Sequence, residues 1–404
     1  MAIERRGINV EFEHQKLRRG KLWLLKSVTM AVALSVGVIL IETGLWVLAP
    51  VHYHEWMLWI PDGHIQGRAA PHQVFHTRDG YEVRINSLGF RGPEYDWKPA
   101  AGTLRLAAFG GSSTFCYHAH GEESTWPGRL QRALSEALHM PVEVINLGLP
   151  GFDADNSKIN YLYIGRALQP HVVLEYDTWN DMKSFRMLAR RPIRFAGVAS
   201  NKPLWQEIAR ATQIGRHVRN LLYEMELLKT ENYYTSLEKE GVEANQPVVP
   251  AALQWARRNY HDFASFALSD GVLPVLISQA TIVAPVNFKK REYREQMNED
   301  LVGMTIPILY KTWIELNGII EDVAREKSAI FVDGYNAVPH DFKHLEDSIH
   351  LTDEGANVLA RAIAETLLRD ARFLGIVKRV RNVSGPRTPP ASVSAGPRQA
   401  YRFS

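Results

Sequence analysis

The chain has 404 residues, 46% of them hydrophobic and 23% charged, so it can bury a full core in one large domain with attachments. Its net charge of +3 is small for this length and lies mainly at the two ends, so we expect no nucleic-acid partner. The single cysteine, Cys116, excludes an intramolecular disulfide and a zinc site built from several cysteines.

An apolar segment near the N-terminus predicts a membrane anchor. Residues 1–26 are polar and basic, whereas residues 27–49 are almost wholly apolar and long enough to cross a hydrocarbon core of about 30 Å as a helix. A buried core helix or a cleaved signal peptide would also be apolar. The segment is longer than the apolar part of a typical signal peptide and has no clear cleavage site, which favours a transmembrane helix.

The charges on either side of this segment predict its orientation. Seven Lys or Arg residues precede it, and only Arg68 occurs in the twenty residues that follow it. Positive charge stays on the cytoplasmic side, so we expect the rest of the chain on the periplasmic or extracellular side. Glu42 lies inside the apolar segment, and we expect it near the outer interface, protonated, or paired with another helix.

Residues 50–100 are predicted to form a stalk with a small strand extension. Their histidines are numerous but match no established metal-ligand spacing, and no cysteine or carboxylate cluster accompanies them. We therefore expect neither a metal nor a cofactor. The histidines concerned are His52, His54, His64, His72 and His76.

From residue 101 to residue 375 the pattern alternates between apolar runs and helical periodicity. Near-continuous apolar runs joined by helices indicate parallel strands that are buried on both faces. We predict a three-layer α/β/α sandwich with a five-stranded parallel, flavodoxin-like sheet. The five runs are Leu104 to Phe109, Val142 to Leu147, Val172 to Tyr176, Val272 to Ser278 and Ala329 to Asp333.

Two further segments lie outside this pattern. Residues 182–249 form an insertion with amphipathic helical stretches, which fits either a lid over a site or a surface elaboration. Residues 376–404 contain no acidic residue and alternate basic residues with Pro, Ser and Gly, which predicts a disordered basic tail. Apolar residues of the insertion that could line an acyl or sugar pocket, or pack on the core, are Trp205, Ile208, Leu221, Leu222, Met225 and Leu227.

Ser112 follows the first strand of the predicted sheet in a turn formed by Gly110 and Gly111. Ligands of open α/β sheets bind outside the carboxyl ends of the strands, so this hydroxyl is a candidate nucleophile. A serine in such a turn is more often the N-cap of a helix. Cys116 nearby is interpreted as a packed thiol.

A base and a carboxylate for such a serine occur together near the end of the domain. Asp347 and His350 lie three residues apart in the loop after the fifth strand. The carboxylate can accept the imidazole Nδ1–H, which leaves Nε2 to take the Ser112 proton. A loop that caps the next helix from Thr352 would explain the same residues.

Two other strand ends offer donors for a developing oxyanion. Gly151 lies in the turn after the second strand, and Asn180 follows the third strand. A backbone N–H at the glycine and the side-chain amide of the asparagine could both point into the crevice. A tight turn at Gly151 and a helix cap at Asn180, beside Asp181, are the structural alternatives.

Four short blocks, GGSST, NLGLPG, TWND and DSIH, occur in this order and each follows a predicted strand. Together they resemble the SGNH or GDSL-type hydrolases over about residues 103–372. The resemblance implies that Ser112 is the nucleophile and first oxyanion donor, with Gly151 and Asn180 as the other donors. It also implies that His350 is the base and Asp347 the carboxylate that orients it.

The chain departs from the family pattern at two positions. Gly111 stands where the family often has aspartate, so a carboxylate that braces the nucleophile turn is absent. Thr178 replaces a glycine of the third block. Thr114, where a Gly-x-Ser-x-Gly elbow would need glycine, argues against an α/β-hydrolase.

The expected function is a membrane-anchored serine esterase that cleaves O-acyl esters, such as O-acetyl esters, of an extracytoplasmic carbohydrate through an acyl-Ser112 intermediate. Lipid or small-ester hydrolysis and acyl transfer to an envelope glycan are alternatives within the same chemistry. A non-catalytic protein that binds a glycan or a partner chain, and an assembly subunit that uses Glu42 to contact other membrane helices, are alternatives from other classes.

Overall fold

The computed structural model describes residues 2–49, 59–60, 68–76, 81–182, 212–224, 250–299 and 305–383. The protein divides into two compact units. The first comprises Met1–Tyr53 with Ala199–Asn232, and the second comprises His54–Val198 with Tyr233–Ser404. All of the candidate site residues lie in the second unit.

Helices and strands are numbered here in chain order over the described residues. The helices are α1 (Ala2–Leu48), α2 (Ser112–Phe115), α3 (Trp126–Leu138), α4 (Ala154–Tyr163), α5 (Gln213–Glu224), α6 (Pro250–Ser269), α7 (Arg291–Glu299), α8 (Ile306–Glu326), α9 (Gly334–Ala337), α10 (Asp353–Arg369) and α11 (Ala371–Val383). The strands are β1 (Trp59–Ile60), β2 (Arg68–Ala69), β3 (Val74–His76), β4 (Glu82–Arg84), β5 (Leu104–Phe109), β6 (Val142–Asn146), β7 (Val172–Glu175), β8 (Leu273–Ile277) and β9 (Ile330–Val332).

The first unit contains the long helix α1 and the helix α5, which packs against it. The most apolar stretch of the Lys21–Leu48 part of α1 has a mean hydropathy of 2.2, and none of this stretch is buried. At 1.5 Å per residue this part is about 40 Å long, enough to cross a bilayer. By length and composition the helix is consistent with a signal anchor or a signal peptide.

The second unit is built on a five-stranded parallel sheet, which confirms the fold class predicted from the apolar runs. The strand order is β6-β5-β7-β8-β9, and each neighbouring pair is parallel. Every residue of β5, β7 and β8 is buried. Strands covered on both faces are apolar at nearly every position, which explains why these runs show no alternation.

Helices cover both faces of this sheet. α3, α10 and α11 pack together, and α4, α6 and α8 form a second group. The chain passes from β5 through α3 to β6, then reverses through α4 past β5 to β7. Because such crossovers are right-handed, the reversal places α3 and α4 on opposite faces. It also opens a crevice outside the carboxyl ends of β5 and β7.

Threonine side chains cap the first turns of two of these helices. The hydroxyl of Thr125 accepts a hydrogen bond from the N–H of Gly128 at 3.1 Å, and that of Thr352 accepts one from Gly355 at 3.1 Å. Each hydroxyl satisfies an N–H that the first helical turn leaves unpaired and contributes about 1 kcal/mol. Helix α10 therefore begins directly after the loop that carries His350.

Residues 81–100 pack into the second unit, although the sequence predicts a stalk over 50–100. Arg91 is fully buried and donates hydrogen bonds to the carbonyl oxygen of Cys116 and to Glu122 Oε1, the latter at 3.1 Å. A buried guanidinium with these partners ties the segment to the loop after α2. Buried apolar side chains of the same segment are Val83, Ile85 and Phe90.

Helix α11 extends the second unit past residue 375, where the sequence predicts the tail to begin. The buried positions follow the spacing of one helical face, a pattern masked in the sequence by the abundance of basic residues. These positions are Phe373, Ile376, Val377 and Val380. The remainder of the predicted tail, 384–404, lies outside the described residues.

The predicted insertion 182–249 is described only at Met182 and over 212–224. Leu221 is an exposed residue of α5. The other apolar residues proposed to line a pocket or pack on the core lie outside the described residues or have side chains that are not described: Trp205, Ile208, Leu222, Met225 and Leu227.

Candidate active site

A tight turn at the end of β5 presents Ser112. Gly110 has a φ of +142°, and a side chain there would collide with the carbonyl oxygen of Tyr176, so this position requires glycine. Gly111 is the N-cap of α2, and Ser112 is its first residue. Thr114 Oγ1 donates to the same Tyr176 carbonyl oxygen at 3.0 Å and fixes the turn. Ser112 is therefore not the N-cap residue.

The structure brings Ser112, His350 and Asp347 together in one hydrogen-bonded chain. His350 Nε2 lies 2.7 Å from Ser112 Oγ, and His350 Nδ1 lies 2.5 Å from Asp347 Oδ2. When Nδ1–H is donated to the carboxylate, Nε2 is left as an acceptor for the serine proton. A hydroxyl paired with an oriented imidazole in this way can act as a nucleophile.

Asp347 is held in its ionised form. Its Oδ1 accepts hydrogen bonds from the N–H groups of Ile349 and His350, both at 2.8 Å. Burial alone would raise the pKa of this carboxyl, but the charge and hydrogen bond of the His350 ring, together with these N–H groups, hold its pKa well below its usual range. The carboxylate can therefore stabilise positive charge on His350 when the ring takes up a proton.

The loop 347–350 is fixed to the carboxyl edge of the sheet by its backbone. The carbonyl oxygen of Ser348 accepts a hydrogen bond from Thr281 Oγ1 at 2.7 Å, in the segment after β8. Ser113 Oγ, next to the candidate nucleophile, donates to the carbonyl oxygen of Ile349 at 3.3 Å. The position of His350 thus depends on more than its own side-chain hydrogen bonds.

Asn180, a predicted oxyanion donor, contacts two of the turns at this edge. Its Nδ2 donates to the carbonyl oxygen of Phe152 at 2.7 Å, directly after Gly151, and the second N–H of the same amide is not used in that bond. A side chain at position 111 would collide with this amide, so Asn180 also lies against the nucleophile turn.

Gly151, the other predicted donor, is exposed and has a φ of +84°, a conformation that favours glycine. Within the described part of the chain, the N–H groups of Gly151 and Ser112 donate to no backbone or side-chain acceptor. With the amide of Asn180, they are the three donors that the sequence predicts for an oxyanion.

Neighbouring groups occupy the space beside Gly111, where the family pattern often has an aspartate. A Cβ on Gly111 would lie 3.0 Å from Asp177 Oδ2 and 2.8 Å from the carbonyl oxygen of Phe152. The Asn180 amide lies nearer still, so Asn180 and Asp177, which both follow β7, together occupy the space that a side chain at position 111 would take. The carboxyl group packs against the turn from the adjacent strand end.

The second departure from the family pattern, Thr178, causes no backbone strain. Thr178 is not among the positive-φ residues of the described chain, so its conformation does not require glycine. Its side chain is fully buried, and its hydroxyl donates to the carbonyl oxygen of Asp177 at 2.6 Å. The substitution is thus accommodated beneath the site.

Asp181 differs from Asp347 in that its surroundings favour the protonated form. Tyr260 Oη lies 2.6 Å from both Asp181 Oδ2 and the carbonyl oxygen of Asp177. The hydrogen bond from Tyr260 by itself favours the charged form of Asp181, but burial outweighs it. Burial, together with the negative charge of Asp153, raises the pKa of Asp181 to about 8.

Two more buried acids lie in the same region. Burial and the charge of Asp177 raise the pKa of Glu175 well above its usual range, and burial and the charge of Asp181 do the same for the pKa of Asp177. The end of β7 and the residues after it therefore carry a largely neutral cluster of acids next to Asn180. We call Glu175, Asp177 and Asp181 the buried acid cluster.

Gln279 is a buried residue of the site that no sequence motif identified. Its Nε2 donates to Ser113 Oγ at 2.9 Å, and its Oε1 accepts the N–H of Trp179 at 2.9 Å. From the end of β8 it therefore links the turns that carry Ser112 and Asn180. Its only signal in the sequence is that it directly follows an apolar strand run.

The Cys116 thiol does not compete with Ser112 as a nucleophile, and the two nearby histidines, His118 and His120, have contacts of their own. Burial raises the pKa of the Cys116 thiol to about 12, so this group stays protonated at neutral pH. His120 Nδ1 lies 2.8 Å from Asp353 Oδ2. The ring of His118 lies 5.3 Å from that of His350, centroid to centroid.

One set of side chains in the described part of the chain could hold a metal ion. The ligand atoms of His118, Asp347 and His350 all lie within 4.8 Å of one another. Asp347 and His350 are hydrogen-bonded to each other, so a cation at this position would compete with the contacts that orient His350 towards Ser112.

Several solved structures are similar to this chain. A protein described as lipolytic and of the G-D-S-L family, from Desulfitobacterium hafniense, matches 65% of this chain and 99% of its own at 13% identity and a TM-score of 0.37. Axe2, an acetylxylan esterase from Geobacillus stearothermophilus, matches 65% of this chain and 93% of its own at 15% identity and a TM-score of 0.38. LAE5, an α/β hydrolase enzyme from the metagenome of Lake Arreo, matches 66% of this chain and 96% of its own at 14% identity and a TM-score of 0.38.

No protein-family model matches the sequence, and neither does any curated protein. Identities and TM-scores in this range assign no activity to the chain. Its function has to be judged from the residues of its own site.

Proposed function

We propose that this chain is a serine esterase, with Ser112 as nucleophile, His350 as general base and Asp347 as the carboxylate that orients the imidazole. The observation that carries the proposal is the continuous hydrogen bonding from Ser112 Oγ through both ring nitrogens to Asp347, with contacts of 2.7 and 2.5 Å. A protein that only binds a glycan needs no hydroxyl aligned with a base. The four sequence blocks favour the same assignment of roles.

In the first half of the reaction, His350 Nε2 takes the Ser112 proton as Oγ attacks the ester carbonyl carbon. Asp347 stabilises the imidazolium that forms. The tetrahedral intermediate then collapses, and the same proton passes from His350 to the departing alkoxide, which leaves as the alcohol. The acyl group remains esterified to Ser112.

In the second half, water attacks the acyl-serine while His350 takes one of its protons. Collapse of the new intermediate returns a proton to Ser112 Oγ and releases the carboxylic acid. In both halves the N–H groups of Ser112 and Gly151 and the amide of Asn180 are proposed to stabilise the oxyanion, each by roughly 3 to 4 kcal/mol. No metal or cofactor takes part in the proposed steps.

The proposed substrate is an O-acyl ester, such as an O-acetyl ester, of a carbohydrate outside the cytoplasm. The apolar Lys21–Leu48 part of α1 is proposed to remain as a single-pass anchor, with the basic N-terminus in the cytoplasm. The charge difference across the helix supports this orientation. The resemblance to SGNH hydrolases, whose envelope-facing members commonly act on O-acyl carbohydrates, supports the substrate class.

The experiment is ester hydrolysis by the full-length protein in detergent micelles, with p-nitrophenyl acetate as substrate. Ser112→Ala is expected to lower kcat by at least about 10³-fold, because it removes the nucleophile. Ser269→Ala, which changes an exposed serine at the end of α6, is the control and should keep full activity. Unchanged turnover in Ser112→Ala would reject the proposal.

A panel of substrates then separates the alternatives within this chemistry. Release of acetate from an acetylated oligosaccharide supports the proposed substrate, and preference for a phospholipid or a long-chain ester supports lipid hydrolysis. A new acylated sugar formed in the presence of a free oligosaccharide supports acyl transfer. Oligosaccharide binding that is unaffected in Ser112→Ala, with no ester turnover, supports a binding protein.

A further inference from the structure

Glu42, a carboxylate within the apolar part of α1, caps the helix α5. Its Oε1 accepts the N–H of Gln213 at 2.6 Å, and its Oε2 accepts the N–H of Ile214 at 2.9 Å. The indole N–H of Trp46, one turn further along α1, donates to the same carboxylate at 3.1 Å. Both of its oxygens are therefore hydrogen-bonded within the first unit.

The contact provides hydrogen-bond partners both for the Glu42 carboxylate and for the first N–H groups of α5. A carboxylate inside an apolar, membrane-spanning segment is costly unless it is partnered, and the first N–H groups of a helix have no partner within that helix. The positive end of the α5 dipole also favours a negative charge at this position. Glu42 and the first turn of α5 thus satisfy each other.

The contact defines how deep α5 begins. Glu42 lies six residues before Leu48, so α5 starts about 9 Å below the end of α1 at 1.5 Å per residue. Further along α5, His217 Nε2 lies 2.8 Å from the carbonyl oxygen of Ala49, just past that end. Helix α5 therefore begins at the depth of the apolar segment and rises towards its outer end.

Two apolar side chains of α5 are exposed. Val218 and Leu221 are three residues apart on one helical face and are 51% and 54% exposed. These side chains lie beside a helix whose own apolar surface is also uncovered. A helix that combines such a face with basic residues, as in the sequence Arg216-His217-Val218-Arg219, is typical of the bilayer interface.

We propose that α5 is a second membrane element, seated in the outer interface of a phospholipid bilayer beside α1, with Val218 and Leu221 against the acyl chains. The inference rests on the proposed membrane anchoring and extends it to the insertion. It also requires that α1 stays in the mature protein. Removal of α1 as a signal peptide would take Glu42 away from the first turn of α5.

The test uses the full-length protein in liposomes that contain brominated phospholipids. One additional cysteine is introduced at Val218 or Leu221 and labelled with a bimane fluorophore. The unaltered protein, whose one cysteine is buried, gives the background labelling. Val36→Cys in α1 is the control for lipid contact. Val286→Cys, an exposed valine of the second unit, is the matched control for an exposed apolar residue.

The proposal predicts that brominated lipid quenches the label at positions 218 and 221 to nearly the extent seen at position 36. It also predicts that aqueous iodide quenches these labels several-fold less than the label at position 286. Strong iodide quenching at positions 218 and 221, with lipid quenching retained at position 36, would overturn the placement of α5 but not the membrane anchor. Loss of lipid quenching at 36 would overturn the anchor itself, whatever the esterase activity.

A second variant tests the role of Glu42. Glu42→Leu removes the acceptor of the α5 N–H groups and is expected to raise iodide quenching at position 218 several-fold. Glu42→Gln keeps one acceptor oxygen and is expected to have a smaller effect. Equal iodide quenching at position 218 with and without the Glu42→Leu substitution would overturn the claim that Glu42 holds α5 at this depth.

Discussion

Asp347 and the buried acid cluster show how one chemical group takes opposite charge states in the same unit. Asp347 accepts hydrogen bonds from two N–H groups and from His350, and its pKa lies well below the usual range. Asp181 is fully buried and has other acids such as Asp153 close by, and these two causes raise its pKa to about 8 despite a hydrogen bond from Tyr260. The neighbours, and not burial alone, decide whether a carboxyl group here is charged.

The difference matches the tasks that we propose for the two regions. A carboxylate that stabilises an imidazolium must be negative when the proton arrives. Acids packed close to Asn180 would oppose a developing oxyanion if they were charged, and in the neutral form they do so less. The site thus combines one negative group behind His350 with neutral groups near the proposed oxyanion donors.

The largest expected effect comes from removing the charge of Asp347. Asp347→Asn can still contact His350 but cannot stabilise the imidazolium and favours the wrong tautomer, so kcat should fall by about 10³ to 10⁴-fold. The measurement is p-nitrophenyl acetate turnover by the full-length protein in micelles, with kcat separated from KM. KM should change little.

Asp353→Asn is the matched control for this prediction. Asp353 forms another close Asp–His contact, with His120 at 2.8 Å, and lies outside the proposed catalytic group. Its substitution should cost less than ten-fold in kcat by the loss of a partly exposed pair. Comparable losses in Asp347→Asn and Asp353→Asn would contradict the special role of Asp347.

A smaller effect is expected at Gly111, in the nucleophile turn beside Asp177 of the buried acid cluster. In Gly111→Ala the new methyl group would press on Asp177, on the amide of Asn180 and on the carbonyl oxygen of Phe152. The free energy of unfolding should fall by about 1 to 3 kcal/mol through overpacking, measured by urea denaturation in micelles. An unchanged or increased stability would show that the space beside Gly111 is not closed by these groups.

The sheet and the juxtaposition of the candidate residues follow from different kinds of sequence information. The apolar runs that predict β5 to β9 are local, and the parallel sheet that they form confirms the fold class. The meeting of Ser112 with His350, 238 residues apart, was expected from the rule that strand carboxyl ends share one edge of a sheet. Their catalytic roles stay predictions until activity is measured.

Other features could not be predicted because no local pattern encodes them. Asn180 and Asp177 occupy the space beside Gly111 from a different strand end, so the sequence shows only a missing aspartate. Gln279 links two turns through one side chain, and Arg91 ties an apparent stalk to the loop after α2. Each depends on long-range packing, which periodicity and motifs do not report.

The pH dependence of stability also separates the two regions. Asp181 has a higher pKa when folded than when unfolded, so the folded protein keeps a proton that the unfolded chain releases between about pH 4 and pH 8. Stability therefore falls as pH rises through this window, by up to about 1.4 kcal/mol per pH unit for one proton. Asp181→Asn should remove this contribution.

Asp347 contributes with the opposite sign. Its pKa is lowered by folding, so its stabilisation is complete above about pH 4 and is lost as pH falls further. Urea denaturation from pH 3 to pH 8 should show a reduced slope above pH 4 in Asp181→Asn and a reduced slope below pH 4 in Asp347→Asn. If the free energy of unfolding has the same slope above pH 4 in Asp181→Asn and in the unaltered protein, Asp181 is charged in the folded state.

The most direct test of the central claim, that Ser112 is activated by His350 and Asp347, is the site and rate of covalent labelling by a fluorophosphonate probe. Mass spectrometry of the labelled full-length protein should find the adduct on Ser112, with labelling abolished in Ser112→Ala and greatly slowed in His350→Ala. An adduct on another residue, or equally fast labelling of Ser112 without the imidazole, would contradict the account.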